Sequence, residues 1–258
     1  MKSTLRRSVC WFLGALLLLA LWHLAVVLLS IPEYLLPTPV SVLKELLGKN
    51  LPRYLGHVSR TALEAASGFL LGNVLALLAG IILYRCESLK LLTMPAVAAF
   101  QAIPIVALAP LLIVWFGSGM LSKVLMAAVI SFFPTMAALL SSFSEVDHHA
   151  KLLFRLYRAS YRSTVRHLLI PAALPHLVNG LRVSAGLATV GAIVAEMTGA
   201  DAGVGFVILN ASYRMETVQL FVGILLAALL GLTGFGIPNV IRYLYPQAWA
   251  SSRSGNKP

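Results

Sequence analysis

Six apolar runs, most of them about 20 residues long, fill most of this chain of 258 residues, and that is the length a helix needs to cross a bilayer core. One long polar stretch breaks the series, residues 144–175, SEVDHHAKLLFRLYRASYRSTVRHLLIPAALP. The pattern predicts an all-α, polytopic membrane protein with about six transmembrane helices. Charged residues make up only 11% of the chain against 59% hydrophobic ones, where a soluble domain carries about 25% charge. No room is left for a sizeable soluble domain.

The net charge of +11 does not point to nucleic acid, because the basic residues cluster between the apolar runs instead of lining one surface. Cys10 and Cys86 have neither metal-ligand nor redox-motif spacing, so free thiols and no metal or cofactor are expected. The chain holds no G-x-x-x-x-G-K-[ST] loop, zinc motif or nucleophile elbow. No clustered His, Asp or Cys suggests an enzyme embedded in the membrane. The chain cannot hydrolyse ATP itself; if it pumps, a partner supplies the energy.

Residues 1–30 read as an N-terminal transmembrane helix. Lys2, Arg6 and Arg7 precede an apolar run of spanning length with no cleavage site after it, which argues for a retained span over a signal peptide. His23 within it reads as a packed or interfacial residue. Residues 31–60 form an amphipathic segment. Val40, Leu43, Leu46 and Leu47 recur at helical spacing after Pro37 and Pro39, giving a helix of two to three turns on the outer membrane surface or packed on the spans. Residues 61–245 make the core. In its first span, 62–84, Gly68, Gly72, Ala76 and Gly80 repeat every fourth residue and offer a face for close helix approach. Glu64-Ala65-Ala66 sits at the end of that span.

The next span, 92–116, carries Pro95, Pro104 and Pro110 and must be kinked or unwound, which at membrane depth is tolerated only inside protein or beside a water-filled cavity. Gln101, Pro104 and Pro110 therefore mark a translocation path. Spans at 124–140, 175–197 and 220–243 follow, then a polar tail at 246–258. Arg182 and Glu196 are the ionisable residues deepest in the fifth run, and such charges are candidates for function. They lie ~21 Å apart on a straight helix. They fit either the two membrane interfaces, Arg182 snorkelling and Glu196 facing water, or the pathway.

In the polar stretch, Arg155, Arg158, Arg162 and Arg166 are spaced by three, four and four, one basic face on a continuous helix. Ser144 with Asp147 is a candidate capping box, and Pro171 and Pro175 punctuate a return to apolar helix. Thirteen of the twenty lysines and arginines fall on the side of this stretch and six on the other, which puts it and both termini in the cytoplasm.

The end LIPAALP resembles the cytoplasmic coupling loop in permease subunits of type I ATP-binding-cassette importers. That pattern runs Glu-Ala-Ala, three residues, Gly, nine residues, Ile, one residue, Leu-Pro. Anchored on Pro171, it places its Ile and Leu on Leu168 and Ile170, its Gly on Arg158, and its Glu-Ala-Ala on Leu152, Leu153 and Phe154. Arg155, Tyr157, Ser160 and IPIVALAPLLIVWFG around Pro104 are similar to the nitrate/sulfonate/taurine branch, which includes thiamine-precursor permeases. The resemblance covers about residues 35–245. It implies the type I importer permease fold, with residues 144–171 as the coupling loop of the permease core and the tail in the cytoplasm. It also implies a bacterial inner-membrane location, a second permease copy, a dimer of ATP-binding subunits, and a periplasmic or lipid-anchored binding protein that delivers a small anion or pyrimidine. Membrane lipids complete the surroundings. The competing reading is a stand-alone secondary carrier or channel, which paired broken spans in internal repeats would mark; only one broken span is evident.

A left-handed backbone at Arg158 would cost roughly 1–2 kcal/mol. Right-handed geometry through Arg158 is therefore expected, with Leu152, Leu153 and Phe154 as an apolar knob for the ATP-binding subunit.

Overall fold

The structure, a computed structural model, describes residues 2–240, apart from the side chains of residues 2–9, 11, 12, 90, 94, 96–98, 100 and 101. All regular elements among the described residues are helical. Four helical stretches are long and apolar enough to cross a membrane: Leu51–Arg85, Met120–Glu145, Tyr161–Gly199 and Thr217–Asn239. The other two expected spans take different forms. The first is α1, Lys2–Leu28, with its apolar part at Leu13–Leu28. The third is divided into α4, Glu87–Gln101, and α5, Ile105–Phe116. Pro104, with ψ 122°, turns the chain out of helical geometry at the break. It has no N–H to continue the ladder, and its ring disfavours helix at the preceding residue.

Between α1 and the core, α2 covers Pro39–Leu47. Thr38 caps it by accepting from the Ser41 N–H at 3.1 Å, and Val42 is its buried residue. This is the expected amphipathic helix. The next helix, α3, starts at Leu51 and runs 35 residues to Arg85, ~52 Å of rise. The expected boundary at residue 60 thus falls inside one helix.

Three helices make the core: α3, α6 (Met120–Glu145) and α9 (Ile170–Gly199). The small-residue face of α3 lies against α6. A Cβ on Gly72 would overlap the Ala128 carbonyl and the Ser131 hydroxyl, so the two backbones meet as closely as small residues allow. Ala65, Ala127, Ala188 and Ala192 pack where the three helices meet. Deeper along the bundle, Asn73 of α3 donates to the Ser184 hydroxyl of α9 at 2.9 Å and accepts from Thr135 of α6. Ser184 also donates to the Ser131 carbonyl at 2.7 Å. One buried amide thus ties all three helices, in a region with no water to satisfy it otherwise.

Around this core, α5 packs on α6 and α9 through Ala109, Leu108 and Leu112. The tenth and eleventh helices, α10 (Val204–Tyr213) and α11 (Thr217–Gly236), follow α9. A cluster of Val42, Tyr54, Val204, Val207, Val222 and Leu226 closes that end of the bundle. The Trp22 ring, 5.6 Å from Phe221, holds α1 to α11. From Leu13 to Leu28 the side chains of α1 are otherwise mostly exposed, eight leucines and His23 among them. Cys10 and Cys86 are free and exposed. The end of the sixth run and the tail at 246–258 lie outside the described residues.

Candidate functional site

The polar stretch 144–175 is not one helix. The core helix α6 continues to Glu145, and Ser144 donates back to the Leu140 carbonyl at 2.9 Å. The cap is Asp147 instead, whose carboxylate accepts from the His149 and Ala150 N–H groups at 3.3 Å and starts α7, His148–Leu156. After a turn, the Ser160 hydroxyl accepts from the Ser163 N–H at 3.2 Å and starts α8, Tyr161–Thr164. A π-turn, Val165–Leu169, then leads into α9, with the Ile170 N–H reaching back to the Val165 carbonyl. The wide turn immediately precedes Pro171, whose ring would clash with the i−4 carbonyl in an ordinary helix.

The turn between α7 and α8 overturns the right-handed expectation at Arg158. Its φ is +48°. The Arg158 N–H donates to the Arg155 carbonyl at 2.9 Å, and the Ala159 N–H to the Phe154 carbonyl at 3.0 Å. These two bonds are a Schellman motif with Arg158 at the left-handed position, where glycine is preferred. The strain of ~1–2 kcal/mol is offset by two backbone bonds of about 0.5–1.5 kcal/mol each, which would otherwise be missing at a helix end. The four arginines consequently do not share one helix face: Arg155 lies on α7, Arg158 in the turn, Arg162 on α8 and Arg166 in the π-turn.

Neither α7 nor α8 buries a residue. The apolar surface that α7 presents is Leu152, Leu153, Leu156 and Tyr157, with Leu156 80% and Tyr157 79% exposed. Phe154 is only half-buried and contributes its carbonyl to the turn. Behind the loop, Val165 and Leu169 join Leu139, Phe143, Ala173 and Leu177 in an apolar cluster. Leu168 is half-buried, Ile170 sits at the rim, and Pro171 opens α9. Two polar contacts tie the loop to the core. Lys151 Nζ donates to the Phe143 carbonyl at 2.9 Å, and the Tyr161 hydroxyl donates to the Ile81 carbonyl of α3 at 2.7 Å.

At the opposite end, Glu196 is 1% exposed and does not face water. Its carboxylate accepts from the Thr61 hydroxyl at 2.6 Å and from the Gly205 N–H at 2.7 Å. Thr61 in turn accepts from the Val204 N–H at 2.8 Å, and His57 Nδ1 from the Gly203 N–H at 3.0 Å. Three side chains from α3 and α9 thus satisfy successive donors at the start of α10, and a carboxylate suits that positive helix end. Gly203 has φ +116°, and a Cβ there would overlap the Glu196 carboxylate. Glu64 is also buried, 2.9 Å from Arg60 Nε. Lys123 is buried too, donating to the carbonyls of Gly199, at 2.7 Å, and Ser118.

The remaining path candidates are separated from this cluster. Pro104 and Pro110 are exposed on α5, and the Gln101 side chain lies outside the described residues. A groove of about 260 Å³ opens at the α4–α5 break, lined by Ile103, Ile105, Leu108, Phe133, Pro134 and Leu187 among others. Arg182 does not join Glu196; its guanidinium stacks on Phe235 of α11, 4.5 Å from the ring centroid. Sequence reasoning did not find Thr61, Glu64, Asn73, Lys123, Lys151 or Tyr161 as contact residues. Polar types at helix ends and within apolar runs were the available signal, and they do not name their partners.

Residues 72–247 match the family described as binding-protein-dependent transport system inner membrane component. A putative aliphatic sulfonates transport permease protein of Bacillus subtilis is 32% identical over 89% of this chain and 85% of its own length. A riboflavin transport system permease protein of Chloroflexus aurantiacus is 33% identical over 92% of this chain and 88% of its own. A formylaminopyrimidine transport permease protein of Halalkalibacterium halodurans is 29% identical over 85% and 88%.

Proposed function

Because this chain belongs to the family of inner-membrane components of binding-protein-dependent transport systems, and so is the permease subunit of an ATP-driven importer, we propose that residues 144–171 are the loop by which it engages its ATP-binding subunit. The stand-alone carrier reading falls away. The chain is not an enzyme; hydrolysis belongs to the ATP-binding subunits, and a substrate-binding protein brings the solute.

The observation that carries the docking assignment is the short helix α7. No residue of it is fully buried, and with the Tyr157 that follows it exposes Leu152, Leu153 and Leu156 at one end of a tightly tied three-helix core. An exposed apolar cluster rimmed by polar groups is the usual mark of an interaction surface. Arg155, Arg158 and Arg162 flank it and meet acidic groups of the partner or lipid phosphates. The docking surface therefore keeps Leu152 and Leu153 of the expected knob and takes Leu156 and Tyr157, one turn further along, in place of Phe154.

Two copies of the chain enclose the path in this reading, with the exposed side of α5 and the groove at its break facing inward. Gln101, Pro104 and Pro110 lie along that route. Arg182 and Glu196 act at its margins, as ties from α9 to α11 and α10. The exposed leucines of α1 face lipid. The loop end and both termini are cytoplasmic, and α2 and α10 lie on the periplasmic side of a bacterial inner membrane. The solute is a small sulfonate-like anion or a nitrogen heterocycle such as a pyrimidine, the classes named for the relatives, and the binding protein selects it.

The test is affinity purification of the tagged permease with its ATP-binding subunit. The variant Leu153→Ser with Leu156→Ser loses the partner while the permease stays folded. Full retention of the partner by that variant overturns the docking assignment.

A further inference from the structure

We infer that Lys151 and Tyr161 are positioning residues that transmit movement of the loop to the membrane core, an inference that rests on the loop being the docking site. The geometry sets the problem. No residue of α7 or α8 is fully buried, and the Tyr161 ring is the part of them that packs on the apolar cluster beneath the loop. Little of a load on α7 therefore passes through packed surface, the ordinary carrier of mechanical coupling. Load applied to α7 reaches the core through its covalent ends and through whatever polar contacts brace it.

Among the described residues there are two such braces, and each goes to a different core helix. Lys151 of α7 donates to the Phe143 carbonyl at 2.9 Å and reaches toward that of Ser144 at 3.5 Å. Both carbonyls are in the last turn of α6, where they have no helical partner and where the helix dipole favours a cation. The ammonium also lies 5.9 Å from the centroid of Tyr84, whose ring packs edge-on against Phe143 at 5.0 Å. Tyr161 of α8 donates to the Ile81 carbonyl of α3 at 2.7 Å. Its ring carries the Arg85 guanidinium 4.9 Å from the centroid, so the last turn of α3 grips it from two directions.

The left-handed turn at Arg158 joins the two braced helices at a fixed angle. A displacement of α7 therefore pulls on α6 through Lys151 and on α3 through Tyr161 together. Because α3, α6 and α9 are tied at Asn73, they move as one body, and α5, packed on α6 and α9, moves against it. Side-chain bonds to helix-end carbonyls suit this role, since they transmit force along a defined direction and need no large interface.

The experiment uses the permease assembled with its ATP-binding subunits and ATP with vanadate as the probe. A cysteine replaces Val106, which is exposed on α5, in a chain lacking Cys10 and Cys86. The readout is the ratio of its thiol-labelling rates with and without trapped nucleotide. The unaltered loop gives a ratio well away from one. Tyr161→Phe removes only the hydroxyl, and Lys151→Met only the donor. Each moves the ratio toward one by about three- to tenfold, the weight of one such bond, while the ATP-binding subunit still co-purifies. Lys151→Arg restores the response.

An unchanged ratio in both variants overturns the inference. So does a response lost only in proportion to lost assembly, because the bonds would then merely hold the fold. If the unaltered loop gives no nucleotide response, transmission by this route fails outright. The docking assignment stands or falls separately, on partner retention by the Leu153→Ser, Leu156→Ser variant.

Discussion

The N–H of Ala159 donates to the carbonyl of Phe154 at 3.0 Å, closing α7 around a left-handed Arg158. The bond fixes the angle between the two short helices, and it survives a residue type that pays for the conformation it adopts. Glycine adopts that conformation without strain. Arg158→Gly is therefore expected to raise stability by ~1 kcal/mol and leave the loop's shape intact. Thermal unfolding of the purified permease in detergent checks this; a fall in midpoint means the arginine side chain contributes more than its backbone costs.

The buried amide of Asn73 holds Ser184 and Thr135 at once. Interhelical bonds in membranes average about 0.6 kcal/mol in double-mutant cycles, but Asn73→Ala takes the acceptor from the Thr135 hydroxyl in a dry core and leaves Ser184 only its bond to the Ser131 carbonyl. A loss of about 1–3 kcal/mol is expected. The measurement is unfolding in mixed detergent, and Asn73→Ala combined with Ser184→Ala should cost less than the sum of the two single changes.

Glu196 and Thr61 together hold the first turn of α10. Glu196→Ala should speed hydrogen exchange at Gly203, Val204 and Gly205 while amides near Asn73 keep their protection. Unchanged exchange at Gly205 would contradict the assignment, because its N–H has the carboxylate as partner at 2.7 Å.

Orientation is tested by labelling. In a chain lacking Cys10 and Cys86, Lys49→Cys reacts with an impermeant thiol reagent outside intact cells and Arg162→Cys reacts only after the cells are opened. Both positions are exposed. The reverse pattern inverts the topology and moves the loop away from any cytoplasmic ATP-binding subunit.

Much of the fold was legible because span length, the four-residue repeat of small residues from Gly68 to Gly80, and the prolines around Pro104 are local signals with direct structural meaning. The Val40–Leu47 helix was legible for the same reason. The polar contacts were not. Glu64 looked like the end of a span and nothing in the sequence singled out Lys123, yet both are buried, Glu64 against Arg60 one turn away and Lys123 against the Gly199 carbonyl, a partner distant in sequence. Asp147 displaced Ser144 as the cap because α6 ran on through Glu145, and helix ends are set by packing as much as by capping residues. Arg158 misled most directly. Its left-handed backbone carries a local cost, and what outweighs it is a pair of backbone bonds that spacing alone does not reveal.

The docking of α7 on the ATP-binding subunit is tested most directly by photo-crosslinking in the assembled importer. A benzophenone amino acid replaces Leu156 in one chain and Tyr213, exposed at the opposite end of the bundle, in another. Irradiation is expected to join the permease to its ATP-binding subunit from position 156 and not from position 213. Crosslinks from position 213, or none from position 156 in a complex that still hydrolyses ATP, would contradict it.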